Sequence, residues 1–341
     1  MRKWTRWVCW LVIGFLYLGA LAAPFIAPYS ARQQFRDFSY HPPIRLHFRD
    51  TDGRWHWRPF VYRYEPLHSS EGYRKTAEPV FVRFLVEGSP YQWMGRTWRT
   101  HLFGLQDTGQ PIFLLGTDGL GRDLFSRMLF GARFSLTVGV VAVVMASLVG
   151  LILGALAGYA GGWVDPVIMR TVDLFLSLPG LFLILALRAV FPLELSAGAI
   201  FWMIVLIFTL AGWAVVTRVI RGQVLTLKTR DFVQAARVAG ASHFRILIRH
   251  ILPFTGNYLL VQSTVFIPAF ILGEVTLSFL GIGVQEPDVS LGSLLAEAAT
   301  LRALTIYPWL LSPAFLIFVT VFAFNLLGDE LKSFRRRPDW W

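Results

Sequence analysis

Of the 341 residues, 55% are hydrophobic, only 16% are charged, and the net charge is +11 at pH 7. A soluble domain carries about 25% charged residues, so this composition excludes an ordinary soluble globular protein. Six stretches approach or exceed the roughly 20 apolar residues that cross a bilayer, which defines a polytopic membrane chain with expected spans near 7–29, 136–159, 171–192, 199–218, 257–281 and 309–328.

The first span follows Arg2, Lys3 and Arg6. A basic start, an apolar middle and small residues at Ala20, Ala22 and Ala23 also suit a secretory leader. The apolar run from Trp7 to Tyr29 is longer than the usual leader core of about 7–15 residues. Removing it would leave five spans and put the arginine-rich end outside, so an uncleaved helix is expected, after a cytoplasmic N-terminus, within 1–29. Cys9 is the only cysteine and allows no internal disulfide.

Residues 30–112 form a polar insertion expected on the outer face, since loops longer than about 60 residues largely escape the positive-inside bias. Ile44, Leu46 and Phe48 alternate with Arg45, His47 and Arg49; Phe60, Tyr62 and Tyr64 share one side, as do Val80, Val82, Phe84 and Val86. Such alternation of β-branched and aromatic residues predicts half-buried strands and a small β-rich lobe. An amphipathic outer segment is expected over 113–135, before the main membrane domain of 133–329.

The second span carries Ala146, Gly150, Gly154 and Gly158 at every fourth position, a stripe that lets another helix approach closely. Arg170 and Asp173, three apart, are expected to pair along one helix face. The loop after the fourth span holds Arg218, Arg221, Lys228, Arg230, Arg237, Arg245 and Arg249 against the single acid Asp231, and the 330–341 tail holds Lys332 and Arg335 to Arg337. This pattern places that loop and both ends in the cytoplasm. It accounts for the positive charge without nucleic acid, whose binding would need a phosphate-tracking surface.

Polar residues inside the spans cost free energy and suggest a function or a partner. Gln262, Ser263, Glu274 and Asn325 are candidates for a translocation path, and Arg188 stands with them as a polar residue within an expected span. Interhelical hydrogen bonding explains the same residue types, and for Glu274 it is the favoured reading. Chemistry is poorly represented. None of the four lysines follows a glycine, so no P-loop exists. "GTDGLGRD" (116–123) lacks the dinucleotide spacing. The seven histidines, His41, His47, His56, His68, His101, His243 and His250, all lie outside the expected spans, and Asp173 has no carboxylate twin at another span centre. No catalytic residue, metal ligand or cofactor-binding residue is expected.

The segment "DFVQAARVAGASHFRILIRHILP" (231–253) is polar yet closely punctuated. Asp231 stands as an N-cap three residues before Gln234, Gly240 offers a left-handed helix end, Ser242 a second N-cap, and Pro253 the start of the next element. The spacing predicts helix, glycine turn, helix at the membrane surface.

Gln234-Ala235-Ala236, Gly240 and, nine residues on, His250-Ile251-Leu252-Pro253 resemble the EAA loop of bacterial ABC-importer permeases, with Gln234 in place of Glu and His250 in place of Ile. "LLGTDGLGRDLFSRMLFGARFSL", "GYAGGWVDPVIMRTVDLFLSLP", "ILGEVTLSFLGIG" and "LGSLLAEA" with "YPWLLSPAF" are similar to the dipeptide/oligopeptide/nickel branch, second-permease type. The resemblance covers about 114–335 and the first span; the long insertion departs from the simplest members and is similar to oligopeptide and microcin C-type importers. It implies an all-α, six-helix, MetI-like type I importer permease of the bacterial inner membrane. It also implies a second permease chain, two cytoplasmic ABC ATPases that bind ATP and Mg, and an outer substrate-binding protein. The inner loop then becomes a coupling helix that docks on the ATPase through Asp231, Gln234, Ala235, Ala236, Gly240, Ala241, Ser242 and Pro253. A secondary transporter or channel without ATPases is the alternative, and a membrane-anchored scaffold acting through the insertion is a third; the cargo stays open.

Overall fold

The computed structural model describes residues 3–67, 72–93, 95–105, 110–192 and 195–335; Arg2, His68, Arg336 and Arg337 lie outside them. The chain divides into two compact units, one of Met1–Trp10, Thr137–Glu274 and Val321–Trp341, the other of Leu11–Leu136 and Val275–Thr320.

The principal helices are α1 (Lys3–Leu21), α2 (Leu124–Ala160), α3 (Val164–Ser177), α4 (Gly180–Ala189), α5 (Ala197–Leu227), α6 (Asp231–Val238), α7 (His243–Phe279), α8 (Leu291–Ala298) and α9 (Ser312–Arg335), with short helical turns at Ala23–Ile26 and Leu301–Ile306. Among the described residues four helices are long and apolar enough to cross a membrane, five if α3 and α4 make one span bent by 96°. The third expected span is therefore broken: Leu178 closes α3 in an extended conformation, and Pro179, which has no N–H to continue the ladder, stands as N-cap of α4. The expected outer segment over 113–135 is split, because α2 begins at Leu124. There the Asp123 carboxylate accepts from the Ser126 N–H at 2.8 Å and its hydroxyl at 2.6 Å, a side-chain cap.

In the first unit the small-residue stripe of α2 meets α5. A Cβ on Gly154 would lie 2.6 Å from the Thr217 carbonyl oxygen, and one on Gly150 would lie 2.5 Å from Val216 Cβ, so the two backbones are in contact. The contact is polar at one end, where Lys228 Nζ donates to the Gly158 carbonyl at 2.9 Å; beside it Arg221 of α5 grips Asp165 of α3, with a second bond of 2.6 Å. Asp173 pairs with Arg218 of α5 rather than with Arg170, since the tertiary partner offers a salt bridge across helices. Arg188 is buried and donates to the Phe191 and Pro192 carbonyls at 3.1 and 3.3 Å, capping the end of its own helix.

The second unit contains an antiparallel four-stranded meander, β1 (His47–Arg49), β2 (Trp55–Pro66), β3 (Tyr73–Trp93) and β4 (Arg96–Leu105), in the order β1-β2-β3-β4. Ile44, Val61, Val82, Phe103, Ile112 and Phe113 form its core. The expected faces hold only in part. Ile44, Phe60, Tyr62 and Val82 are buried, but Leu46, Phe48 and Phe84 are exposed. Register shifts between Tyr62 and Tyr64, and between Glu87 and Tyr91, interrupt strict alternation, as bulges do.

Also in this unit, a charged cluster joins distant parts of the chain. Arg127, 1% exposed, forks onto Glu297 at 2.7 and 2.8 Å and reaches Glu286 at 2.9 Å and Asp118. Arg122 holds the other Asp118 contact at 2.7 Å. The glycine-rich 116–123 segment thus serves a buried ion network.

Candidate functional site

The element between α5 and α7 is built from local backbone chemistry and fixed by three side chains. Lys228 closes α5, and α6 starts three residues later. Arg230, not Asp231, takes the N-cap position, and no side chain caps this end. Asp231 sits in the first turn, where a negative charge is favourable against the helix dipole. Gln234 Nε2 donates to the Lys228 carbonyl at 3.0 Å; the link is so short that this orphan oxygen at the end of α5 captures the amide.

α6 ends as expected. Gly240 has φ +79°, its N–H donates to the Arg237 carbonyl at 3.0 Å, and the Ala241 N–H donates to the Ala236 carbonyl at 3.0 Å. No atom would crowd a Cβ at Gly240, so the requirement is conformational: the left-handed region costs other residues about 1–2 kcal/mol. Ser242 is the N-cap of α7, its Oγ accepting from the Arg245 N–H at 3.3 Å.

α7 then runs on through a π-helical stretch, Ile246–Ile251, in which the Leu252 N–H bonds to the Leu247 carbonyl five residues back. Pro253 stands, as expected, at the second position of the α-helical run Leu252–Phe279, and that run continues the π stretch without a break. The wider π turn just before it makes room for a ring that cannot donate.

Val233, Ile246 and Ile251 are fully buried against Val216, Ile220 and Val224 of α5. A hydrogen bond of 2.9 Å between Tyr159 Oη and His243 Nδ1 ties the element to the end of α2. Ala235 and Ala236 do not share an environment: Ala235 is exposed, whereas Ala236 is half-buried and packs, with Ala241, on that apolar cluster. The outward face carries Asp231, Arg237, Arg245 and Arg249 together with two large apolar side chains beside the turn, Val238 (90% exposed) and Phe244 (74%). Sequence reasoning missed this apolar pair. Its signal was present as two hydrophobic residues flanking Gly240 in a polar loop.

The four candidate path residues have different surroundings. Glu274 is fully buried, Gln262 and Ser263 are half-buried, and Asn325 is exposed. Ser263 Oγ donates to the Leu259 carbonyl of its own helix at 2.8 Å. Among the described residues no group of three His, Cys, Asp or Glu side chains could hold a metal ion.

Helices long and apolar enough to span a bilayer, with a capped and anchored polar element between two of them, define a polytopic helical membrane protein that presents a rigid surface feature at one end of its spans. Residues 150–333 match the family model described as the binding-protein-dependent transport system inner membrane component, and residues 1–43 match the N-terminal TM domain of oligopeptide transport permease C. The chain belongs to the first of these families, one of membrane components rather than ATPases. It is 40% identical over 219 residues to the oligopeptide transport system permease protein OppC of Bacillus subtilis, covering 64% of this chain and 69% of that one. Against the Haemophilus influenzae OppC it is 35% identical over 259 residues, covering 76% and 78%. A solved structure described as inward-facing conformations of the MetNI methionine ABC transporter covers 63% of this chain and 98% of its own, at 16% identity and TM-score 0.49.

Proposed function

We propose that this chain is one of two permease subunits of a type I ABC importer for peptides or peptide-like compounds. Curated relatives at 35–41% identity are named as oligopeptide and dipeptide permeases, which supports the cargo class. In this reading α1, the bent α3–α4 pair and the four long helices make six crossings, with both termini cytosolic and residues 30–112 outside. Two cytosolic ATPases bind ATP and Mg, and an outer binding protein delivers cargo.

The observation that carries the mechanism is the asymmetry of the 231–253 element. Three fully buried side chains pack it against α5, while Val238 and Phe244 keep most of their surface in solvent. A surface feature that is rigid underneath and apolar outside is suited to receive force from a partner, because burial of the exposed side chains stabilises the contact and the buried ones pass the displacement to the helices. ATP-driven closure of the ATPases pushes α6 and biases the spans between inward-open and outward-open states that differ by a few kcal/mol.

The test is ATP-dependent peptide uptake in proteoliposomes holding both permeases, the ATPases and the binding protein. Gly240→Pro fixes φ near −65° and removes the N–H that bonds Arg237, so uptake is lost while the permease stays inserted. Wild-type uptake by that variant, or full uptake without any ATPase, refutes the assignment.

A further inference from the structure

Within the second unit, a cavity of about 440 Å³ opens between the turn Arg36–Phe38, the facing ends of β2 and β3, and the segment Tyr307–Trp309. Its size falls in the ~300–1,000 Å³ range of small-molecule sites, and it is remote in sequence from every residue of the coupling element.

Its walls are aromatic and held in place. Tyr40 and Tyr307 stack with ring centroids 4.2 Å apart and planes 6° from parallel. The Trp309 indole N–H donates to the Thr117 carbonyl at 3.2 Å, and the Tyr73 hydroxyl donates to the Ser39 carbonyl at 2.6 Å. The Arg302 guanidinium carbon lies beside this stacked pair, 5.9 and 5.7 Å from the Tyr40 and Tyr307 centroids. Two lining residues are charged and of opposite sign, Arg36 and Asp37, adjacent in one 3-10 turn, exposed, and without an ion-pair partner among the described residues.

One positive and one negative charge beside fixed apolar walls are the complement of a molecule with one carboxylate, one ammonium and an apolar body. We propose that this cavity binds free short peptides, with Arg36 taking the C-terminal carboxylate, Asp37 the N-terminal ammonium, and the Tyr40, Tyr73, Tyr307 and Trp309 rings a side chain. The site is separate from the docking reading above and needs neither ATP nor an ATPase.

The full chain in lipid nanodiscs, without ATP, is titrated with radiolabelled Ala-Phe-Ala and with its N-acetylated and C-amidated forms. Each exposed ion pair contributes about 0.2–1 kcal/mol, so the free peptide binds saturably and each cap weakens it, by up to about fivefold. Asp37→Asn abolishes the sensitivity to N-acetylation alone, and Arg36→Gln abolishes the sensitivity to C-amidation alone. These swaps read the peptide's charge rather than the fold, because both side chains are exposed. Absence of saturable binding overturns the inference. So does equal affinity for capped and free peptides, which would mark instead a groove for an internal protein segment, and so does retained cap sensitivity in both variants. Failure here leaves ATP-driven uptake unaffected, and failure of uptake leaves this binding in place.

Discussion

Replacing Val238 and Phe244 together by serine separates docking from folding. The two side chains are 90% and 74% exposed, so they contribute little to the isolated chain. Full burial of a Val or Phe side chain contributes about 1.5–3 kcal/mol. With most of that surface still in water, the pair holds back about 2.5–5 kcal/mol for a partner before the costs of association. At 1.4 kcal/mol per tenfold, a loss of about 3 kcal/mol raises the Kd for the ATPase about 100-fold. The assay is titration of the purified ATPase onto permease in nanodiscs, read beside the thermal unfolding of the permease. Stability should stay within about 0.5 kcal/mol of wild type, as for surface substitutions. Ile246→Ala has the opposite signature, because it empties a fully buried position and costs about 2–5 kcal/mol of stability. Ala235→Glu should likewise weaken docking without unfolding, whereas Ala236→Glu confounds the two, since Ala236 packs on the buried cluster. An undiminished ATPase affinity in the double serine variant refutes the reasoning.

Three further outcomes test the packing. Gly154→Val forces a Cβ to within 2.6 Å of the Thr217 carbonyl, so thermal unfolding in detergent should show a loss of about 1–3 kcal/mol; an unchanged midpoint means that α2 and α5 do not meet backbone to backbone. Arg127→Met leaves buried Asp118 with Arg122 alone and half-buried Glu297 without its fork. Removing one partner from such a network costs about 3–5 kcal/mol, and adding Glu297→Gln should restore part of it. Asp123 is pushed up to about 7, chiefly by burial, against the hydrogen bonds from Ser126 and with nearby Asp118 adding to the rise. The folded chain therefore holds that proton more tightly than the unfolded one. The stability this provides is complete below the ordinary carboxylate range and is lost as pH rises to about 7; Asp123→Asn should flatten this part of the melting-versus-pH curve, and an unaltered slope excludes the effect.

What the residues disclose in advance depends on how local the cause is. Gly240 and Ser242 were legible because a left-handed turn and an N-cap are matters of a few backbone bonds. Four of the six expected spans were legible, because hydropathy reports what leaves water. It does not report where a helix ends: α2 starts in a polar stretch at Leu124, capped by Asp123, and α7 passes through "RHILP" by widening into a π turn. Strand faces were less legible, because alternation gives the side on which a residue points but not how far along the strand that side is covered: Phe84 is exposed although it lies on the same side of β3 as buried Val82 and the pairing with β4 runs unbroken between them.

The difference between Ala235 and Ala236 has the same origin. Both are small residues on a surface helix, and nothing within the helix distinguishes them. Only the position of α5 beneath, with Ile220 and Val224 facing Val233 and Ile251, turns Ala236 inward and leaves Ala235 out. A small residue at the inward position lets the element lie close to α5; under the proposed docking, one at the outward position would let the ATPase lie close to the element. On that proposal the two alanines meet different demands, fit within the chain and fit between chains. Substitutions tolerated at one need not be tolerated at the other: Ala236→Gly should lower permease stability by about 0.5–1 kcal/mol through helix propensity and lost packing, and leave affinity for the ATPase unchanged in the folded fraction.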